Sequence, residues 1–187
     1  MDRKSLERLA KKIQHCQKCE RSQARTHAVP GEGYPNSGML LVGEAPGKKE
    51  DHTGQPFVGR AGDYLNKILS SYNLDRNQVF ITSVLKCYHP RPPKKQQIKK
   101  CLPWSHHQIE ALNTKLILVM GRWAAWAFLG IQKLEGIPKV LSWKGINCVV
   151  ACHPAAAMRF PHRDREFREG FKIFVARAAE MDLRPFP

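Results

Sequence analysis

Four of the six cysteines in this 187-residue chain have the spacing of a soft-metal site. Cys16 and Cys19 form a C-x-x-C pair, and Cys87 and Cys101 follow with 13 residues between them. Thiolates bind soft metals tetrahedrally, either as zinc or as an iron–sulfur cluster. Zinc sites usually use two close pairs, and the 87–101 gap is wider than that. A cubane cluster takes ligands from more scattered positions. Spacing alone leaves both open, beside a single redox C-x-x-C pair with incidental cysteines. Cys148 and Cys152 lie within or at the end of an apolar strand, four apart on one face, and are expected in the core. His15 is a spare ligand that a fourth cysteine makes unnecessary.

A second set of reactive types lies in LLVGEAPGKKEDHTGQPFVGRAG, residues 40–62. It is a strand followed by a glycine-rich turn, but neither G-x-G-x-x-G nor G-x-x-x-x-G-K-[ST]. Glu44, Glu50 and Asp51 place carboxylates around the turn, and Phe57 follows Pro56 as a planar ring. A flipped nucleobase needs such a set: a ring to stack on, amides to read its edge, a carboxylate to position water. The plainer readings are core packing for Phe57 and a solvated acidic turn for Glu50 and Asp51. Glu44 serves either catalysis or hydrogen bonding to loop amides.

His153 stands before Pro154, just beyond the fourth apolar run, and can donate to an oxygen gaining negative charge. Arg159, Arg163 and Arg165 follow, with His162 between them, as a phosphate-facing surface or a solvated helix start. Met158 and Phe160 could fill a groove. Ser83, near the end of an apolar run, either faces a pocket or caps local backbone.

The elements that must hold these groups are short strands alternating with helices. Strands are predicted at Met39–Val42, Val79–Leu85, Leu116–Met120 and Cys148–Ala151. Helices are predicted from Ser5 to about Ala24, over Gly62–Ser71, from Pro103 to Leu112, after Gly121, and from Asp164 to Met181. The stretch 43–59 reads as a long loop. The connections are too long for hairpins, so the pattern is a three-layer α/β/α domain on a parallel four-stranded sheet. In such sheets the site lies at the carboxyl ends of the strands, where 43–59, 83–89 and 153–159 fall. Trp123 and Trp126, three apart, read as core; Tyr88 and Trp143 are further aromatics.

Thirty-one Lys and Arg against 16 Asp and Glu give a formal net charge of +15, which makes nucleic acid the leading class of partner. Residues 86–100 hold six of those cations and no acid. Lys86, Arg91, Lys94, Lys95, Arg159 and Arg163 are the expected DNA-backbone contacts. No apolar run is long enough to span a membrane, and the charged start MDRKSLERLAKK lacks an apolar signal core. A cytoplasmic monomer, nucleoid-associated when on DNA, is expected.

Taken together, these segments resemble the family 4 uracil-DNA glycosylases, the thermostable iron–sulfur type. GEAPGKKED at 43–51 and GQPFVGRAG at 54–62 resemble the family's first motif and its continuation, and HPAAAMR at 153–159 resembles the second. The likeness runs from about residue 13 to 175. It implies one uracil-glycosylase domain over 1–187, with a subregion from 13–24 and 86–102 holding a [4Fe–4S] cluster on Cys16, Cys19, Cys87 and Cys101. It implies monofunctional excision of uracil or another deaminated base from DNA, leaving an abasic site. Phe57 would stack on the base and His153 would donate to the base oxygen nearest the sugar. Glu50, Glu44 and Asp51 are the acidic candidates, with Glu50 favoured. The amides of Glu44 and Ala45 would help read the base. The chain departs from the pattern at Ser83, where the family has Asn, and at Ala155, where Ser is usual. The Asn amide pairs with both N3–H and O4 of uracil, which a serine hydroxyl cannot do. Altered lesion preference, for hypoxanthine or xanthine, and a non-catalytic DNA-binding protein are the competing expectations.

Overall fold

Runs of aliphatic residues with no polar alternation form the centre of the molecule, because their strands are covered on both faces. The structure, a computed structural model, describes residues 3–183. The ends of the expected 1–187 domain, residues 1–2 and 184–187, lie outside the described residues. Strands β1 (Glu32–Gly33), β2 (Met39–Gly43), β3 (Phe80–Ser83), β4 (Leu116–Met120), β5 (Lys139–Trp143) and β6 (Ile146–Ala151) make one sheet in the order β1-β3-β2-β4-β6-β5. The inner four are parallel, as expected. Both edges are antiparallel additions that raise the count from four to six. The sequence pattern missed β5 because KVLSW is largely solvent-exposed and has no buried face to mark it. β1 is two residues long, too short for any periodicity.

Among the described residues eight α-helices accompany the sheet: α1 (Arg3–Gln14), α2 (Arg21–Ala24), α3 (Lys48–Thr53), α4 (Arg60–Ser71), α5 (Lys95–Ala111), α6 (Arg122–Leu129), α7 (Pro154–Ala157) and α8 (Pro161–Glu180). One face of the sheet packs against Leu65, Ile68 and Leu69 of α4 and Phe167, Phe171 and Phe174 of α8. The other packs against Ile98 and Ile109 of α5 and Ala124, Ala125 and Phe128 of α6. The three-layer expectation therefore holds. The three α8 phenylalanines are fully buried, each contributing about 1.5–3 kcal/mol by burial.

Several boundaries differ from expectation. The first helix stops at Gln14, so Cys16 and Cys19 sit in the irregular link to α2 and not on a helix. The stretch 43–59 contains α3, whose start at Lys48 carries Glu50 and Asp51 on its first turn. α5 begins at Lys95 and runs through Pro103. Proline suits a first helical turn, which is why it read as a start. Cys148 and Cys152 are both buried as expected, but they pack on opposite faces of the sheet. β6 ends at Ala151, so strand alternation does not extend to Cys152.

Candidate active site and thiolate pocket

The sheet register brings the ends of β2 and β3 together, with Gly43 opposite Ser83. The chain then continues the pairing: Val84 N–H donates to Gly43 C=O and Leu85 N–H to Glu44 C=O, both at 3.0 Å. Above this floor lies a cleft of about 430 Å3. Ala45, Glu50, Phe57, Ser83 and Arg159 line it, together with the cations Lys48, Lys49 and Arg60.

Phe57 and His153 meet over Gly43. A methyl group on Gly43 would fall 2.5 Å from Phe57 Cζ and 3.4 Å from His153 Nε2, so any other residue there would displace the ring. The two rings lie near-parallel, with centroids 5.8 Å apart. Phe57 has φ +51°, a left-handed conformation that bulky residues rarely adopt. Three contacts hold it there. Glu50 Oε1 accepts the N–H groups of Val58 (2.9 Å) and Gly59 (2.8 Å). Arg76 donates to the carbonyls of Phe57 (3.1 Å) and Pro56 (2.7 Å), and is paired with Glu32 at 2.6 Å. Gly62 gives room, since a side chain there would strike the Phe57 carbonyl oxygen.

His153 caps α7. Its Nδ1 accepts the N–H of Ala155 at 3.1 Å, which leaves the proton on Nε2, the nitrogen near Gly43. Burial pushes its pKa down to about 4, outweighing the attraction of Glu50. The imidazole is therefore a neutral donor at physiological pH.

The three carboxylates have different surroundings. Glu50 is buried but borders the cleft, and only its Oε1 accepts the two backbone bonds. Asp51 does not line the cleft. Both its oxygens accept Thr26 N–H at 3.0 Å, and Oδ1 also reaches His27 N–H. The structure gives Asp51 the task of fixing the chain after α2, which corrects its place among the catalytic acids. Glu44 is half-buried beside the cleft lining, and burial raises its pKa against the pull of Arg122 and Arg21. Ser83 is 5% exposed and is one of the residues lining the cleft.

The four cysteines predicted as ligands line a second, much tighter pocket, with a cavity volume of about 10 Å3. Lys18, Ser22, Lys86, Lys100 and Trp104 complete it, and no carboxylate does. Arg25 donates to Cys87 Sγ at 2.9 Å and Trp104 Nε1–H to Cys16 Sγ at 3.3 Å. Burial pushes the Cys101 thiol up to about 11 and also raises Cys87, with Lys86 and Arg25 respectively pulling the other way. Four thiols ringed by cations and N–H donors suit a group that needs thiolates. Among the described residues, no three His, Cys, Asp or Glu side chains gather tightly enough for a single metal ion.

Two buried cations hold the irregular 86–94 segment: Arg21, which the sequence did not single out, and Lys86, whose burial it did not reveal. Arg21 is 1% exposed and donates to Gln97 Oε1, Cys87 C=O and Arg91 C=O, at 2.9–3.1 Å. Lys86, expected on the DNA backbone, is instead fully buried. Its ammonium donates to Thr82 Oγ1, Ser83 C=O and Gln108 Oε1, so all three protons are satisfied internally. Arg91, Lys94, Lys95 and Arg159 are exposed. Arg163 is half-buried against Glu166 at 2.7 Å. Arg76 carried no signal, because D-R-N-Q reads as an ordinary surface cap. Lys48, Lys49 and Arg60 could have been noticed from their places inside the glycine-rich motif.

The neutral state of His153 is open to measurement. An NMR titration of the DNA-free protein is expected to place its midpoint near 4, so the ring stays uncharged as pH falls from 8 to about 5. A midpoint near 6.5, that of an ordinary histidine, would contradict the desolvated geometry.

The comparisons agree with this geometry. Residues 30–175 match the family model described as the uracil DNA glycosylase superfamily. A type-4 uracil-DNA glycosylase of Sulfurisphaera tokodaii is 39% identical over 181 residues, covering 90% of this chain and 82% of the relative. One from Archaeoglobus fulgidus is 36% identical, covering 90% of each. One from Pyrobaculum aerophilum is 36% identical, covering 96% of this chain and 98% of the relative. The chain belongs to the uracil DNA glycosylase superfamily.

Proposed function

We propose that this protein is a DNA repair enzyme that hydrolyses the N-glycosidic bond of uracil in DNA and leaves an abasic site. The observation that carries the reading is that Phe57 and Glu50 line one cleft while the His153 imidazole stacks on Phe57 over Gly43, within electrostatic reach of Glu50. The sequence likeness to type-4 enzymes supports the substrate.

The chemistry follows from the positions. The nucleotide leaves the stack and its base enters the cleft against Phe57. The bond between C1′ and the base nitrogen loosens, giving a cationic sugar and a base anion. His153 Nε2–H donates to the base oxygen nearest the sugar, steadying the anion without giving up its proton. Glu50 Oε2, the oxygen not bonded to the turn, steadies the sugar and orients water. Water adds its hydroxyl to C1′ and its proton goes to the departing base. No lysine is assigned as a nucleophile, so the strand stays intact. Lys48, Lys49, Arg60 and Arg159 attract the phosphates around the cleft, and Arg91, Lys94 and Lys95 extend that surface. Phe160, 51% exposed beside Arg159, is suited to fill the space the base leaves.

Ser83 contributes one hydroxyl where an amide would make two bonds. Losing such a contact costs about 1–3 kcal/mol, or roughly tenfold to a hundredfold in discrimination. The amides of Glu44 and Ala45 read part of the edge in its place. The whole chain acts as one domain, and a monomer working wherever DNA is held suffices for the reaction. Among the described residues no helix is long and apolar enough to cross a membrane.

Cys16, Cys19, Cys87 and Cys101 would hold a [4Fe–4S] cluster. The cluster would pin the 86–101 segment to the link between α1 and α2, and no step of the hydrolysis needs its electrons. Protein prepared without oxygen is expected to show broad visible absorption and about four irons per chain, with both lost in Cys87→Ala. Zinc without visible absorption would overturn the cluster assignment. The function itself is tested by base release from oligonucleotides carrying uracil, hypoxanthine, xanthine, thymine opposite guanine, or cytosine. Uracil release well above the others is expected. Preferred release of another base would overturn the specificity, and no release with DNA binding intact would overturn the enzyme.

A further inference from the structure

A pair of tryptophans lies outside the cleft and has no part in the chemistry above. Trp123 and Trp126 stand on α6, which starts directly after β4 at the carboxyl end of the sheet. Both pack against the core cluster, as the core reading expects, but each is only partly buried. Each carries a cation on its face. The Arg122 guanidinium lies 4.8 Å from the Trp123 ring centroid, and Lys95 Nζ lies 5.5 Å from that of Trp126. The rings meet edge to face, 6.1 Å apart at 85°.

Their place connects the two parts of the site. Trp123 packs on the same apolar cluster as Ala45, a wall of the cleft. Arg122 is close enough to Glu44 to act on its carboxyl group. Lys95 opens α5, at the end of the exposed basic stretch with Arg91 and Lys94. The aromatic pair is therefore linked through Arg122 to Glu44 beside the cleft and through Lys95 to the basic loop. Trp104 and Trp143 also carry a cation, Lys18 Nζ at 4.4 Å and Lys144 Nζ at 5.1 Å from the ring centroids, so place and mutual packing set Trp123 and Trp126 apart. Trp104 is tied to Cys16, and Trp143 packs with Phe128 and His106 by the sheet edge.

We propose that Trp123 and Trp126, with Arg122 and Lys95, form a stacking platform for unpaired nucleotides flanking the base that enters the cleft. The inference rests on the glycosylase reading for its substrate. A cation over an aromatic face occupies the position a nucleobase takes when it stacks. When a strand arrives, Arg122 and Lys95 turn to its phosphates and the uncovered rings take its bases. Because the rings are perpendicular, each takes one base and the strand bends between them. Charge selects the occupant: the neighbouring groups are Arg91, Lys94, Lys95 and Arg122, which fit a polyanion with exposed π-faces. Duplex DNA offers such faces only at frayed or flipped positions, so the platform favours single-stranded substrate.

The test uses full-length protein and an oligothymidine of about 12 nucleotides that lacks uracil, with binding read by fluorescence anisotropy. Leucine keeps the apolar contact with the core and removes the π-face. Trp123→Leu with Trp126→Leu is expected to weaken binding at least tenfold while the salt dependence of affinity stays unchanged. Lys95→Ala is expected to lower that salt slope by about one. Trp143→Leu serves as the control and is expected to bind as the unaltered protein does. Circular dichroism confirms that each variant is folded. Binding of the double variant within twofold of the unaltered protein would overturn the platform, as would an equal loss in Trp143→Leu. Competition by polyglutamate as strong as that by oligothymidine, and lost in the same double variant, would overturn the nucleotide occupant in favour of an acidic protein. Uracil release by the unaltered protein reports separately on the glycosylase reading, so failure of either is distinguishable.

Discussion

One carboxylate oxygen organises the site. Glu50 Oε1 accepts two consecutive N–H groups, of Val58 and Gly59, and so turns the chain immediately after Phe57. That turn requires Phe57 to sit at a positive φ, which costs on the order of 1–3 kcal/mol. Arg76 offsets the strain from the opposite side by binding the carbonyls of Pro56 and Phe57. Gly43 and Gly62 leave the space in which the ring and its carbonyl lie. With the ring fixed over the end of β2, His153 stacks beside it and its Nε2 reaches the same point. The aromatic face is thus set before any base arrives, and little ordering cost falls on the binding step.

The large positive charge divides into cations with different tasks. Arg21 and Lys86 are buried, each with three hydrogen bonds, and hold an irregular proline-rich segment that has no regular backbone ladder of its own. Arg76 holds Phe57. Arg25 and Lys86 face the thiol pocket, where thiolates bound to a cluster would add negative charge. Exposed cations such as Lys48, Lys49, Arg60 and Arg159 are left to meet phosphates. Lys86 also joins the two sites, because its ammonium bonds the Ser83 carbonyl while its neighbour Cys87 lines the thiol pocket. Cluster loss would therefore disturb the floor of the cleft through packing, with no redox step.

Much of this was legible from residue types. The buried parallel strands announced themselves as unbroken apolar runs, and the glycine-rich segment pointed to a close approach of backbone and ring. What stayed hidden has physical causes. Arg21, Lys86 and Arg76 look like surface cations in sequence, since nothing local records partners 10 to 76 residues away. Asp51 sits beside Glu50 in sequence, but one step along a helix turns a side chain by about 100°, towards Thr26 and away from the cleft. The edge strand β5 lacked any apolar face, and Pro103 masked the first turns of α5. Trp123 and Trp126 read as core because helical spacing records a shared face and not its exposure.

The central claim is that Glu50 has two tasks, one per oxygen. Glutamine retains a carbonyl oxygen that can accept the Val58 and Gly59 N–H groups, but removes the charge. Single-turnover uracil release by Glu50→Gln, beside Glu50→Ala, separates the tasks. The account predicts that Glu50→Gln melts within a few degrees of the unaltered protein yet releases uracil about a hundredfold more slowly, while Glu50→Ala loses both stability and rate. Release by Glu50→Gln at the unaltered rate would contradict the account and leave Glu50 as a scaffold for Phe57 alone.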